Sequence, residues 1–155
     1  MACPYGHGMP CPYDFGEKMP PFKTEFKARF SDIDHVGVVY FPVYIDYFHR
    51  AMEDFWDDKL KYPYRRVFDG DGIAFPIVHV EADYFSPLKI GDRIVVEMRL
   101  KKMGRTSFTV ACAIRKKGER KVVAQGEITH VVIDRRTFRP IPIPPRYRTI
   151  FGKLR

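Results

Sequence analysis

The apolar positions of this chain change period along its length, and the changes predict its elements. From Lys23 to Phe30, following Phe22, polar and apolar residues alternate as in a half-buried strand. Asp32 to Gly37 reads as a turn. From about Phe41 to Lys59 the period lengthens. Tyr44, Tyr47 and Phe48, Ala51 and Met52, and Phe55 recur at three- and four-residue spacing, which predicts an amphipathic helix. Pro42 suits its first turn, where a missing N–H costs nothing. Residues 62–72 read as a loop broken by Pro63, Gly70 and Gly72. Four strand-like runs follow: Ile73–Phe85, Asp92–Met103, Thr106–Lys116 and Lys121–Asp134. In the second, Ile94, Val96, Met98 and Leu100 share a face; in the third, Phe108, Val110, Cys112 and Ile114 do. Short turn signals between the runs make antiparallel neighbours. One helix with five antiparallel strands, segregated along the chain, predicts an α+β fold with the sheet curved around the helix.

Both ends read differently from this middle. Residues 1–22 are an expected extension, in which Cys3-Pro4-Tyr5 is echoed by Cys11-Pro12-Tyr13 with His7 between. Ile141-Pro142-Ile143-Pro144-Pro145 cannot supply ladder donors at its prolines, so residues 141–155 are expected to be an extended basic tail. That leaves one domain over residues 23–140.

Composition adds limits. At 155 residues the chain is large enough for one hydrophobic core. No apolar run reaches the roughly 18 residues of a membrane span, and three widely spaced cysteines do not make a disulfide framework, so a reducing cytoplasm is the expected setting. Charge is uneven. Residues 1–100 hold 12 basic and 16 acidic residues, a net of −4; residues 101–155 hold 15 and 3, a net of +12. Such a segment suits a phosphorylated ligand or an acidic partner. The basic residues form no recognised nucleic-acid motif, so nucleic acid is not expected.

The segment Ser31-Asp32-Ile33-Asp34-His35-Val36-Gly37 places two carboxylates and a glycine just ahead of the helix. A helix start offers backbone N–H groups without intrahelical acceptors. A carboxylate beside such donors can act on an activated carbonyl; the ordinary alternative is a turn or capping aspartate. Asp32 reads as turn support through local N–H groups, and Gly37 as the residue that lets the backbone turn.

The run Phe30 to Tyr44 resembles the hotdog-fold acyl-CoA thioesterases of the 4-hydroxybenzoyl-CoA thioesterase type. It matches their D-x-D-x-x-G-x-V pattern at Asp32, Asp34, Gly37 and Val39, followed by an aromatic pair at Tyr40 and Phe41 and by Tyr44. The resemblance covers residues 23–140 and implies a hotdog fold, a five-stranded antiparallel sheet wrapped around one long central helix. It implies that Asp34 is the catalytic carboxylate, as nucleophile or as general base, and that the backbone N–H of Phe41 is the oxyanion donor. It further implies that Gly37, Tyr40, Arg105, Thr106 and Ser107 lie where acyl-CoA binds, Arg105 being suited to phosphate by its planar fork. Positions where one bacterial branch carries Tyr and His hold Phe30 and Phe41, so that branch's proton-exchanging helpers are absent. No metal and no cofactor is implied, coenzyme A being part of the substrate. The implied partner is a second copy, as a homodimer or homotetramer with the substrate at the boundary. Acyl chains on an acidic acyl carrier protein, and a non-catalytic acyl-binding module, are the alternative functions. His35 and His79 are read as surface or packing residues.

Overall fold

A computed structural model describes residues 20–154. The expected extension lies almost wholly outside them, including Cys3, His7 and Cys11. Strand β1 is Phe22–Lys27, β3 Ile77–Tyr84, β4 Arg93–Met103, β5 Ser107–Lys116 and β6 Val122–Val131. They form one antiparallel sheet in the order β1-β4-β5-β6-β3. This is the expected five-stranded sheet. Two of the runs are divided. Ile73–Phe85 breaks at Pro76 into β2 (Ile73–Ala74) and β3, and the last run turns after Val131 into β7 (Ile133–Asp134). With β8 (Arg139–Pro140), β2 and β7 make a second, three-stranded sheet. A proline has no N–H for the ladder, which accounts for the break at Pro76; its carbonyl instead accepts from Val131 N–H at 3.0 Å.

The helical stretch has the expected bounds, Phe41 to Lys59, but it is not the long central helix expected. Helix α1 is Phe41–Asp54, 14 residues, and continues as a five-residue π-helix, Phe55–Lys59. It ends where Leu60 leaves the helix and Lys61 takes a φ of 53°. Its apolar stripe buries Tyr44, Tyr47, Phe48, Ala51, Met52, Phe55 and Trp56. That stripe shares a core with Ile94, Val96 and Met98 of β4 and with Phe108, Val110, Cys112 and Ile114 of β5, the faces anticipated from alternation. Each such large apolar side chain, fully buried, contributes about 1.5–3 kcal/mol. The helix lies close to the sheet at Gly126 of β6. A Cβ there would stand 2.8 Å from a ring carbon of Phe48 and 2.4 Å from the carbonyl oxygen of Glu81, so only glycine fits.

Two segments expected to be irregular are helical. Tyr64–Asp69 is a short helix, α2, and Pro145–Gly152 is a helix, α3, in place of an extended tail. Proline at the first position of a helix is tolerated, so Pro145 opens α3 without cost. Tyr147, Phe151 and Leu154 repeat at helical spacing and are buried. Phe151 stacks on Phe108 at 4.0 Å. The Tyr147 hydroxyl donates to Asp71, which also accepts from Tyr62 at 2.9 Å, and the Arg146 guanidinium lies 4.6 Å over the Tyr62 ring.

One core polar group makes stability depend on pH. His130 of β6 is 1% exposed, stacks on Phe108, and its Nδ1 lies 3.0 Å from the Phe75 carbonyl, to which it donates as a neutral ring. Burial pushes its pKa down to about 4. The unfolded chain therefore takes up a proton near pH 6.5 that the folded chain refuses until about pH 4, so stability is intact above pH 6.5 and falls as pH drops through that window. The loss amounts to roughly 3 kcal/mol. Urea unfolding of the chain should lose stability across this window, and His130→Phe, which keeps an aromatic ring on Phe108, should flatten the slope. An equal slope in the variant would remove His130 as its source.

Candidate active site

The segment before α1 is a small hairpin, and its hydrogen bonds follow from its residues. Phe30–Asp32 forms a single 3-10 turn. Tyr40 N–H donates to the Asp32 carbonyl at 2.8 Å, Ile33 bridges Val39, and Asp34 N–H donates to the Val38 carbonyl at 2.9 Å. The tip closes when Gly37 N–H donates to the Asp34 carbonyl at 3.0 Å, with Gly37 at a φ of +88°. That left-handed conformation is the one a glycine adopts without penalty. The hairpin is tied to the connection between β3 and β4 by Val39 N–H, which donates to the Leu88 carbonyl at 2.9 Å.

The two carboxylates part company here. Asp32 is buried, and its Oδ2 accepts from Arg29 N–H and from the Tyr47 hydroxyl, each at 2.8 Å. Burial, and next the adjoining Asp32 carboxylate, hold the Tyr47 phenol well above its ordinary pKa, so it remains a donor. Asp34 is half-buried at the tip. Its Oδ1 accepts from Val36 N–H at 2.9 Å and Val38 N–H at 3.4 Å; among the described residues no donor reaches Oδ2. One oxygen is thus anchored and the other open.

Phe41 opens α1, directly after the Tyr40 that pairs with Asp32. Val43 N–H is taken by the Tyr40 carbonyl, and Pro42 has none. The Phe41 N–H is therefore the donor that the first turn leaves over. Around it stands an aromatic group. Tyr40 meets the Phe41 ring edge-on at 5.1 Å, and both are exposed. Tyr84 meets Tyr44 edge-on at 5.1 Å, and its hydroxyl donates to the Phe41 carbonyl at 3.2 Å. The Tyr44 hydroxyl accepts from Leu88 N–H at 3.1 Å. Tyr84 and the hydroxyls of Tyr44 and Tyr47 were not singled out by the sequence. Their signal was available: a tyrosine in a buried stripe needs a partner for its O–H.

Asp34 and Gly37 at the hairpin tip and Tyr40 and Phe41 at its exit into α1 thus belong to one local unit. Arg105, Thr106 and Ser107 are not with them. Arg105 and Thr106 lie in the β4–β5 turn and Ser107 opens β5, whereas the Asp34 hairpin adjoins Leu88, shortly before β4 begins. The 11 residues of β4 separate the two regions by roughly 30 Å. The Arg105 turn is held from below by the C-terminal segment, since its carbonyl accepts from Ile143 N–H at 2.8 Å. His35 is exposed at the hairpin tip, and His79 is exposed on β3, its Nε2 3.5 Å from a Glu81 oxygen. Among the described residues no group of three His, Cys, Asp or Glu is placed to hold a metal ion, and no helix is long and apolar enough to cross a membrane.

The family model described as the thioesterase-like superfamily matches residues 28–151. The 1,4-dihydroxy-2-naphthoyl-CoA hydrolase of Synechococcus elongatus is 32% identical over 129 residues, 83% of this chain and 93% of its own length. The crystal structure of a 1,4-dihydroxy-2-naphthoyl-CoA thioesterase from Synechocystis superposes with a TM-score of 0.78 at 26% identity, covering 86% of this chain and 96% of that one. A gentisyl-coenzyme A thioesterase structure superposes with a TM-score of 0.74 at 27% identity, over 83% of this chain and 98% of that one. The neighbours have the hotdog fold. The relatives are named for naphthoyl-CoA and gentisyl-CoA, and the superfamily they share with this chain is not specifically that of 4-hydroxybenzoyl-CoA thioesterase.

The hairpin tip makes a direct prediction. Gly37→Ala meets no atom within 4 Å of the new Cβ, so its cost is backbone strain alone. Denaturant unfolding should show a loss of about 1–2 kcal/mol. Unchanged stability would mean that the left-handed turn is not kept in solution.

Proposed function

We propose, for a chain that belongs to the thioesterase-like superfamily and hydrolyses thioesters, that the substrate is an aromatic acyl-coenzyme A and that Asp34 is the reacting carboxylate. The observation that carries the reading is the hairpin itself, which anchors one Asp34 oxygen, leaves the other open, and runs at its far end into the leftover Phe41 N–H. The aromatic class is supported by Tyr40, Phe41, Tyr44 and Tyr84 around the helix start, and by the naphthoyl and gentisyl groups in the relatives' names.

The chemistry asks little of a general acid. A coenzyme A thiol with a pKa near ~8.5, like that of cysteine, leaves readily as thiolate. By one route Asp34 attacks the thioester carbonyl carbon; the C–S bond breaks, the thiolate leaves with its electron pair, and water then cleaves the mixed anhydride to free acid and regenerated carboxylate. By the other, Asp34 takes a proton from water as its oxygen bonds to the carbonyl carbon, and that proton accompanies the departing thiolate. In both, negative charge grows on the carbonyl oxygen. The Phe41 N–H is the proposed donor to it, a contribution of about 3–4 kcal/mol for a preorganised group.

Coenzyme A phosphates need basic partners, and Arg105 lies at the far end of β4. A second copy resolves this. Strand β3 is a sheet edge whose eight residues are almost all exposed, with Val78 at 61%. Such a long apolar edge is a template for pairing. Antiparallel pairing of β3 with its own copy about a two-fold axis joins two sheets into one. It also reverses strand direction, so that the Arg105 end of one chain lies at the Asp34 end of the other. Arg105, Thr106, Ser107 and the surrounding basic residues then serve the partner's site.

Two experiments test this. Asp34→Ala should reduce thiol release from aromatic acyl-CoAs by about 10²- to 10⁴-fold; full activity would remove Asp34 from the chemistry, and faster turnover of aliphatic substrates or acyl carrier protein thioesters by the unaltered enzyme would overturn the substrate class. Val80→Pro on the β3 edge should give monomers by light scattering and abolish turnover. A dimer that persists would place the interface elsewhere.

A further inference from the structure

The Asp32 side chain does more than support a turn. Five hydrogen bonds converge on this residue from three parts of the chain. Its Oδ2 accepts from Arg29 N–H, before the 3-10 turn, and from the Tyr47 hydroxyl, inside α1. Its carbonyl accepts from Tyr40 N–H, and its own N–H donates to the Arg29 carbonyl at 3.0 Å. The Ser31 hydroxyl lies 3.4 Å from Oδ1. Tyr47 is fully buried, and its ring stacks on Phe26 of β1 at 5.7 Å, so it is fixed independently of Asp32.

The consequence is positional. Two residues beyond Asp32 stands Asp34, and one residue beyond Tyr40 stands Phe41. Beyond the Val39–Leu88 bond, the hydrogen bonds of the tip, Asp34 to Val38, stay within the hairpin, so small backbone rotations can tilt it toward or away from α1. The Tyr47–Asp32 bond is the single side-chain tie, among the described residues, between the strand carrying Asp34 and the body of α1. We propose that Asp32 and Tyr47 are a positioning pair for the hydrolysis, which holds the Asp34 carboxylate and the Phe41 N–H in one fixed relation. This rests on the reading of Asp34 given above. A buried carboxylate that accepts two strong donors is well suited to the task, since charge-assisted bonds are shorter and stiffer than neutral ones.

A displacement of the reacting group by a fraction of an ångström lowers kcat and leaves substrate affinity nearly untouched. Tyr47→Phe keeps the ring and its stack on Phe26 and removes only the hydroxyl. It should lower kcat between about 10- and 100-fold, with KM within about twofold of the unaltered enzyme. Asp32→Asn retains an oxygen that can accept from Tyr47, so it should fall between the unaltered enzyme and Asp32→Ala. Asp34→Ala is measured beside them. An inactive Asp34→Ala together with an unaltered kcat in Tyr47→Phe would overturn the positioning role and leave the Asp34 reading standing. A lowered melting temperature in Tyr47→Phe, with kcat and KM both unchanged, would assign the pair to stability alone and also overturn it. An active Asp34→Ala would overturn both.

Discussion

The buried carboxylate of Asp32 is the point on which the working end of this molecule depends. A carboxylate cannot be taken out of water without donors to satisfy it. Here the donors come from Arg29, just before the 3-10 turn, and from Tyr47 in the second turn of α1. Satisfying the charge therefore brings strand end, hairpin and helix together. The hairpin bonds that follow, Tyr40 to Asp32 and Asp34 to Val38, then set where the exposed groups lie. Two aspartates two residues apart thus differ, one enclosed and fully bonded, the other at the tip with an open oxygen and, in the proposed reading, the reacting group.

The second constraint is length. Strand β4 is 11 residues long, so the groups at its two ends are far apart in one chain. A hydrolase for coenzyme A esters must hold a reacting carbonyl and distant phosphates at once. The exposed β3 edge, in the proposed pairing, reverses one chain against the other and turns that separation into a match. The same edge accounts for a strand with apolar residues on both faces, which a solvated monomer does not need.

Much of this was legible in the residues. Period-two alternation located β4 and β5 and their buried faces, and the aromatic stripe with Pro42 located the start of α1. The resemblance of the D-x-D-x-x-G run to the thioesterase pattern singled out the hairpin, since an aspartate with a glycine three residues on is by itself an ordinary turn signal. The prolines of residues 142–145 concealed α3, although Tyr147, Phe151 and Leu154 carry a helical stripe. Pro76 divided a run that looked continuous. The separation of Arg105 from Asp34 was not legible, because it depends on which ends of the strands lie together, a property of sheet order and not of local pattern.

In the proposed dimer, the site is shared between the Asp34 end of one chain and the Arg105 end of another. Subunit complementation tests this most directly. Asp34→Ala and Arg105→Ala proteins, each impaired alone, are unfolded, mixed in equal amounts and refolded, then assayed with substrate well below KM. Random pairing makes half of the dimers hybrids, each with one doubly altered site and one intact site, so about a quarter of the unaltered activity should return. Activity no greater than the average of the two separate variants would contradict the shared site.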